Sequence, residues 1–298
     1  MKKSSTRVCF IVNPAADRYR SVRHVDWLNR EAKKRWACFE IIISPENQPV
    51  SELAAEKAGI FDIIVACGGD GTVNQVVNGI AGTGAALGII PIGSGNDFIK
   101  TLYKDTSLAA CMEAIAGGKM VSADLISCRG DVKTWCINTL GIGLDGLANY
   151  HAKSYRRLRG SVIYVLGALK AVFGFRGSRM SLTIDGEKLN GKYLMVTACN
   201  GKWEGGGFLI APGANPFDGS AELVIIKKMS VAGILSYLPR FWLGFSKSIK
   251  AVKTYRCETV EIHSNKPVAA HCDGEHLGEN LQHFKLAIVP GAIKIIKQ

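Results

Sequence analysis

The stretch from Asp62 to Gly79, DIIVACGGDGTVNQVVNG, constrains the fold of this chain more than any other. Its first part, Ile63 to Ala66, is a short apolar run typical of a strand that is buried on both faces. The glycines that follow allow the backbone to turn tightly and to approach another molecule without obstruction by a Cβ atom. From Val73 to Ile80, apolar residues recur at helical spacing, so the first turn of a helix directs its N–H groups toward the loop. The stretch therefore predicts a strand, a turn and a helix that together favour an anionic ligand.

A second loop of the same kind follows the next apolar run. Leu87 to Ile90 predicts another buried strand, and PIGSGNDFIK, from Pro91 to Lys100, is a glycine-rich turn that leads into a helix. Each turn taken alone could serve only packing. Loops after adjacent strands of an open parallel sheet meet at one edge, so the two turns together predict one shared nucleotide site. The chain has no GxxxxGK[ST] motif, and Gly141-Ile142-Gly143 lacks the rest of a dinucleotide fingerprint.

The order of predicted elements divides the chain into two parts. Up to Asp124, strands alternate with helices, among them a helix from Val22 to Trp36, and this rhythm is typical of a mostly parallel α/β sheet. Beyond it, short candidate strands predominate and two basic helical segments interrupt them. We therefore predict a Rossmann-like α/β domain over residues 1–124 and a β-rich domain over residues 125–289. A strand-like tail at 290–298 could return to the first domain.

Composition narrows the cellular setting. The chain has 298 residues, of which 47% are hydrophobic and 21% charged, as is ordinary for a globular protein. Its nine cysteines are scattered without a CxxC pair, which favours buried free thiols in a reducing compartment. The apolar run Val8–Val12 is too short for a signal peptide, and Val162–Phe175 is too short to cross a bilayer. We therefore expect a cytoplasmic protein, either soluble or bound peripherally to a membrane.

The net charge of +12 is unevenly placed. Residues 146–184 and residues 223–257 each contain seven lysines and arginines and no acid, and aromatic residues lie among them. This pattern suits an anionic membrane surface, where basic residues meet headgroups and rings lodge at the interface. Nucleic acid is the competing partner, and a third interpretation is that the segments are core-packing helices with solvated basic faces. We expect a membrane surface rather than nucleic acid, and we leave a homodimer open.

Two acidic turns are candidates for chemistry. Asp273-Gly274-Glu275 lies between two β-like segments, and a carboxylate there could accept a proton from an attacking hydroxyl. Asp-Gly is also the commonest hairpin signal, so a plain turn is the alternative. Asp218, with the carbonyls of Asn215 and Ser220, could hold a divalent cation, or could again form only a turn. The six histidines show no zinc-binding spacing, so zinc is not expected.

Four segments together resemble the bacterial lipid kinases of the diacylglycerol kinase catalytic family, which are akin to NAD kinases. They are GGDGTVNQVVNG, PIGSGNDF, APGANPFDGSAELVII and the late DGE, and the resemblance spans nearly the whole chain. It implies an ATP-binding α/β domain, a C-terminal β-sandwich and an active cleft between them. The implied reaction is magnesium-dependent transfer of the γ-phosphoryl group of ATP to a lipid hydroxyl, with diacylglycerol, giving phosphatidic acid, as the first candidate. Alternatives are a sphingoid base, phosphatidylglycerol or NAD as acceptor, or a non-catalytic nucleotide- or membrane-binding protein.

The resemblance also implies roles for particular residues. The general-base position falls on Asp273 and Glu275, and a structural magnesium site matches Asn215, Asp218 and Ser220. The implied nucleotide contacts lie in loops of the first domain and are Asn13, Pro14, Ser44, Gly68, Gly69, Asp70, Gly71, Thr72, Val73, Asn74, Gln75, Ser94, Asn96 and Asp97.

Three departures from the family pattern affect these loops. NPAADRYR lacks the usual Ser-Gly pair after Asn-Pro, and Arg18 or Arg20 could supply the lost phosphate contact. Gln75 stands where a glutamate is usual, and a neutral amide is not a charged acceptor. Ser94 replaces a threonine and keeps the hydroxyl.

Overall fold

The computed structural model describes residues 3–17, 20–154, 161–242 and 249–298. The chain divides into two compact units. Unit 1 comprises residues 1–123 and 291–298, and unit 2 comprises residues 124–290. The predicted combination of an α/β domain with a β-sandwich is confirmed.

Strands and helices alternate in unit 1. Its strands β2, β1, β3 and β4 are neighbours in that order and are all parallel. Near the chain end, Lys294 and Ile295 pair in parallel with Ala86 and Leu87 of β4. The elements are β1 (Ser4–Val12), a 3₁₀ turn (Ser21–His24), α1 (Val25–Arg35), β2 (Trp36–Ile43), α2 (Val50–Ala58), β3 (Ile63–Gly68), α3 (Asp70–Ile80), β4 (Ala86–Pro91), α4 (Asp97–Leu102), α5 (Leu108–Gly117) and the start of β5 (Met120–Gly130).

The register of these strands brings their carboxyl ends level. Val12 pairs with Ile43 on one side and with Cys67 on the other, and Cys67 in turn pairs with Ile90. Strands β3 and β4 and the second half of β1 are buried, as expected for a parallel sheet with both faces covered, whereas most of the edge strand β2 is half-buried or exposed. The loops that follow β1, β2, β3 and β4 therefore begin side by side at one edge of the sheet.

The predicted helix from Val22 to Trp36 is shorter than expected. It begins at Val25 after a 3₁₀ turn and ends at Arg35. Trp36 starts β2, pairs with Ser4 and is almost fully buried, with its ring edge-on to Phe10 at a centroid distance of 5.7 Å. Strand pairing and ring packing thus override the helical spacing at this position.

Unit 2 is built mainly from antiparallel strands. The neighbours in order are β13, β12, β9, β7, β14 and β15, and β8 pairs with both β14 and β9. The elements after β5 are β6 (Thr134–Cys136), β7 (Thr139–Gly143), α6 (Leu144–Ala152), α7 (Ser161–Gly174), β8 (Ser178–Ile184), β9 (Glu187–Cys199), β10 (Trp203–Glu204), β11 (Phe208–Leu209), β12 (Ala221–Lys227), α8 (Val231–Trp242), β13 (Val252–Cys257), β14 (Thr259–Cys272) and β15 (Glu275–Ile296).

Two apolar cores stabilise unit 2. One lies among the strands and includes Val196, Ile262 and Phe284. The other joins the buried side of α7, through Val172, to Val224 and other strand residues. The predicted basic helical segments correspond to α7 and α8, while their charged residues Arg156, Arg157, Arg159 and Lys247 lie outside the described residues. Within the described ranges, every helix is too short or too polar to span a bilayer.

Candidate active site

The two glycine turns of unit 1 lie against each other. The Ile92 N–H donates to the Gly68 carbonyl at 3.0 Å, and a Cβ atom on Gly93 would collide with the Gly69 backbone. Asn96, in the left-handed region at φ 52°, braces this turn by accepting from the Gly93 N–H and donating to the Gly93 carbonyl. The missing Cβ atoms therefore let the two turns pack backbone against backbone.

Asp70 connects the two turns. Its Oδ1 atom accepts hydrogen bonds from the N–H groups of Asp97 at 2.8 Å and Phe98 at 3.2 Å, which open helix α4. Helix α3 begins at Asp70 with Gly69 as its N-cap, and a glycine has no side chain with which to cap it. Asp70 thus caps α4, whereas the N-terminus of α3 is the better place for an anion.

The loop that follows β1 is anchored to the rest of unit 1, although its sequence departs from the family pattern. The Asn13 amide donates to the Thr72 hydroxyl at 3.1 Å, which ties the loop to α3. Ser21, fully buried, donates to the Asn13 carbonyl at 2.6 Å. Arg20 is exposed, and Arg18 lies outside the described residues. The Ser44 N–H donates to the Val12 carbonyl, so Ser44, another predicted nucleotide contact, also lies at the carboxyl edge of the parallel sheet.

The other residues predicted to contact the nucleotide lie in the same loops and in the first turns of α3 and α4. Ser94 is exposed in the second turn, and the Asp97 carboxylate at the start of α4 lies 2.7 Å from Lys100 Nζ. Pro14 lies in the first loop, its carbonyl 3.2 Å from the Ser21 hydroxyl. Gly71, Thr72, Val73, Asn74 and Gln75 lie in the first part of α3, where Thr72, Val73 and Asn74 are buried and Gly71 and Gln75 half-buried.

In unit 2, Asp273 holds a turn of backbone. Its Oδ1 accepts from the N–H groups of Asn138 at 2.8 Å and Thr139 at 3.0 Å, and its Oδ2 accepts from the Ile137 N–H at 2.9 Å. The Cys136 thiol adds a fourth donor at 3.1 Å. Burial raises the pKa of this thiol well above its usual range, so it stays protonated. The Asp273 side chain is almost fully buried, and both of its oxygens are engaged.

Glu275, two residues further on, lies in a different environment. Its side chain is 43% exposed and its Oε2 atom is 3.1 Å from Lys153 Nζ. Between the two acids, the Gly274 carbonyl accepts from the Asn149 amide at 2.9 Å. Of the two predicted catalytic carboxylates, Glu275 is therefore the one that another molecule can reach.

The residues predicted for a structural magnesium site do not fit a resident metal in this chain. Asp218 Oδ1 accepts from the N–H and the hydroxyl of Ser220, and its Oδ2 lies 2.9 Å from the Arg256 guanidinium. Arg256 also donates to the Ser220 hydroxyl at 2.6 Å and to the Asp218 carbonyl. The guanidinium supplies the positive charge that a metal would bring. Asn215, the third predicted ligand, lies exposed in the preceding turn.

A buried polar cluster was missed from the sequence. We call Asp145, Glu204 and His271 the His271 cluster: His271 Nε2 lies 2.8 Å from Glu204 Oε1 and 3.3 Å from Asp145 Oδ2. Burial raises the pKa of Glu204 to about 7, with the Asp145 charge adding to the effect. Burial opposes the charged form of His271, but the two carboxylates outweigh it and hold its pKa well above the usual range. Burial opposes ionisation of Asp145 as well, yet His271 keeps that pKa below its ordinary value.

The His271 cluster escaped detection because its members come from three distant segments. Gly141 is the one local signal, since it pairs with His271 on β14 and with Thr197 on β9. A Cβ atom at Gly141 would collide with the Asp145 carboxylate and the imidazole. The glycine therefore makes room for the cluster and is not part of a dinucleotide motif.

Comparisons with known proteins agree on both units. The model of the diacylglycerol kinase catalytic domain matches residues 7–128, and that of the YegS C-terminal NAD kinase beta sandwich-like domain matches residues 138–297. A diacylglycerol kinase of Mycobacterium tuberculosis (strain CDC 1551 / Oshkosh) is 25% identical over 296 residues, 98% of this chain and 95% of that protein.

Solved structures share the fold. The crystal structure of a diacylglycerol kinase from Bacillus anthracis str. Sterne has a TM-score of 0.73 at 21% identity and covers 100% of this chain and 98% of that one. An NAD kinase from Archaeoglobus fulgidus in complex with ATP has a TM-score of 0.56 at 14% identity, with 97% and 93% covered.

Proposed function

This chain belongs to the diacylglycerol kinase catalytic family and is a lipid kinase that uses ATP, and we propose that its acceptor is the free hydroxyl of diacylglycerol. The product would be phosphatidic acid. The Mycobacterium tuberculosis relative, which carries the name diacylglycerol kinase and matches 98% of this chain, supports this choice of acceptor.

The contact between the Gly69 and Gly93 turns is the observation that carries the nucleotide half of the proposal. Bare backbone there lets phosphate oxygens approach the N–H groups at the start of α3, where the helix dipole also favours negative charge. We infer that the phosphates of ATP bind at this edge of unit 1. Magnesium enters with ATP and neutralises its charge, and Asp70 and Asp97 are the carboxylates beside these turns.

The Asp273–Glu275 turn is proposed to supply the general base. The exposed Glu275 carboxylate can meet a lipid hydroxyl, whereas Asp273 fixes the backbone from which Glu275 projects. A positioned base contributes about 100-fold to 10,000-fold to a proton transfer. Glu275→Gln should therefore lower kcat by at least about 100-fold and leave ATP binding unchanged. Wild-type turnover in this variant would remove Glu275 from the role.

Helix α7 supports access to a lipid. Val172 packs into the core of unit 2, while Val162 and Phe173, eleven residues apart and so on one face, are 53% and 63% exposed. Lys170 on the same helix and Arg176 just after it are exposed as well. An exposed apolar face beside cations suits insertion into the headgroup region of an anionic bilayer. We therefore propose peripheral binding to such a membrane.

A panel of acceptors tests the proposed reaction. The protein is incubated with ATP labelled in the γ-phosphate, magnesium and mixed micelles of diacylglycerol, phosphatidylglycerol or a sphingoid base, and separately with NAD. We expect label in phosphatidic acid, and none in the other products. Label in another product would replace the acceptor, and ATP binding without any transfer would favour a non-catalytic protein.

A further inference from the structure

We propose that the His271 cluster of unit 2 is a binding site for a divalent transition metal, which binds without nucleotide. Three groups of metal-capable side chains occur among the described residues, and in each the ligand atoms lie within 4.8 Å of one another. They are the His271 cluster, a group of Cys136, Cys272 and Asp273, and a group of Glu261, His263 and His283.

The imidazole of His271 lies at ion-pair distance from both carboxylates, yet its geometry is aligned for a hydrogen bond to neither. Only 2% of its side chain is exposed, and in the described structure its Nε2 atom makes no aligned hydrogen bond, although the two carboxylate oxygens are 2.8 and 3.3 Å away. A buried ring nitrogen this close to two carboxylate oxygens can share a metal ion with them. A single well-aligned N–H···O bond to one carboxylate would be the ordinary arrangement for a buried histidine.

The spacing of these atoms fits coordination. Ligand bonds of about 2.1 Å place neighbouring ligand atoms roughly 3.0 Å apart in an octahedron and roughly 3.4 Å apart in a tetrahedron. The observed distances of 2.8 and 3.3 Å lie close to these values. Metal binding would release the proton that the raised pKa of His271 keeps on the ring, and two carboxylates with the neutral imidazole would then balance the charge of a divalent cation.

The surroundings support the three ligands. The Thr197 hydroxyl donates to Asp145 Oδ2 at 2.7 Å, an outer contact of the kind that orients a metal-binding carboxylate. Gly141 leaves the space that the Asp145 carboxylate and the imidazole fill. The side chains of Asp145 and Glu204 are 15% and 14% exposed, which gives an ion a path from solvent.

The other two groups already have their donors. Both oxygens of Asp273 accept backbone N–H bonds, and Cys136 donates its thiol proton to the same carboxylate. Glu261 Oε1 is 3.2 Å from Lys285 Nζ, whose ammonium group already neutralises it, and 3.0 Å from His283 Nε2. The His271 cluster is thus the group in the described ranges whose geometry calls for an ion.

The ligand set selects the metal. Magnesium prefers oxygen ligands and water, whereas an imidazole with two carboxylates suits Mn²⁺ or Zn²⁺. A metal bound there would join the start of α6, strand β10 and the end of β14, and so would fix the strand that leads into the Asp273–Glu275 turn.

Manganese binding in the absence of nucleotide tests the proposal. The full-length protein is freed of metal with a chelator and titrated with Mn²⁺, with free ion followed by electron paramagnetic resonance. We expect one Mn²⁺ per chain, displaced by Zn²⁺, with a nitrogen coupling in electron spin-echo spectra that reports an imidazole ligand. Because the coupling is measured on the wild-type protein, the result does not depend on a variant that folds poorly.

Variants assign the site. Glu204→Gln and His271→Gln should lower the affinity at least about tenfold, and His271→Gln should remove the nitrogen coupling. Glu261→Gln, in the exposed group, should change neither. Absence of stoichiometric binding, a bound ion without nitrogen coupling, or loss of binding only in Glu261→Gln would each overturn the proposal. None of these readouts uses phosphoryl transfer, so failure here leaves the proposed kinase reaction untouched.

Discussion

Replacing Asp273 with asparagine should destabilise unit 2 before it affects chemistry. The carboxylate accepts three backbone N–H bonds and a thiol in a nearly fully buried position. Asp273 also adopts a left-handed backbone at φ 50°, which asparagine tolerates well, so the substitution changes the donors' environment and spares the backbone. Asparagine keeps one acceptor oxygen and turns an NH₂ group toward at least one backbone N–H.

The magnitude follows from the bonds that are lost. A hydrogen bond to a charged group contributes about 1.5–3 kcal/mol, and a buried donor left unpaired costs about 1–3 kcal/mol. Loss of one bond and weakening of the others should lower the free energy of unfolding by about 2–4 kcal/mol. That is a large fraction of the roughly 5–15 kcal/mol that stabilises a typical protein. The midpoint of thermal unfolding should fall by about 5–15 °C.

Asp185→Asn is the matched control. Asp185 also precedes a glycine, lies at φ 45° and accepts the N–H groups of Glu258 and Thr259, but it is exposed, so water can replace the lost bonds. Chemical denaturation of both variants measures the difference, and the control should lose less than about 1 kcal/mol. Equal stability of Asp273→Asn and the wild type would refute the assignment of Asp273 as the brace of residues 136–139.

Three other substitutions test separate parts of the molecule. Gly93→Ala places a Cβ atom against the Gly69 backbone and should lower ATP affinity at least about tenfold in equilibrium binding. Gly84→Ala, whose Cβ atom would point into open space, should leave the affinity unchanged. Equal ATP affinities of the two variants would contradict the phosphate site. Phe173→Ser should weaken sedimentation with anionic vesicles, and added salt should weaken it further. Ile60→Ser, at an exposed residue of unit 1, is the control. Vesicle binding that changes neither with Phe173→Ser nor with salt would contradict membrane docking. Arg256→Ala should change stability by less than about 1 kcal/mol, because the guanidinium side chain is 68% exposed, yet it should make thermal unfolding sensitive to added Mg²⁺. A wild-type protein that is equally sensitive to Mg²⁺ would contradict the role of the guanidinium.

The fold could be predicted because its signals are local. Apolar runs that end in glycines mark β3 and β4, and helical spacing after Gly71 marks α3, so neighbouring residues carry the information. The end of α1 was the exception. Trp36 continues a helical stripe in the sequence, but its pairing with Ser4 and its contact with Phe10 decide its conformation. Both partners lie more than twenty residues away, where periodicity gives no signal.

The candidate site was predictable only in part. Motifs place Asp218 and Asp273 in turns, which the structure bears out, whereas Asp70 is the first residue of α3. They do not show which donors surround each carboxylate, because those donors come from other segments. Arg256, which meets Asp218, and the N–H groups of 137–139, which meet Asp273, belong to no motif in the sequence.

The availability of each carboxylate decides its chemistry. A carboxylate has room for about four donors, and one that already accepts several hydrogen bonds has little capacity left for a substrate proton or a metal. On this criterion we propose that Asp273 and Asp218 serve the structure, although the sequence places both in turns that suit catalysis and metal binding. Glu275, with one lysine beside it, and the His271 cluster, whose imidazole makes no aligned hydrogen bond to either neighbouring carboxylate, retain capacity for another molecule. In this chain, the number of hydrogen-bond donors around each carboxylate therefore indicates which acids are available for chemistry.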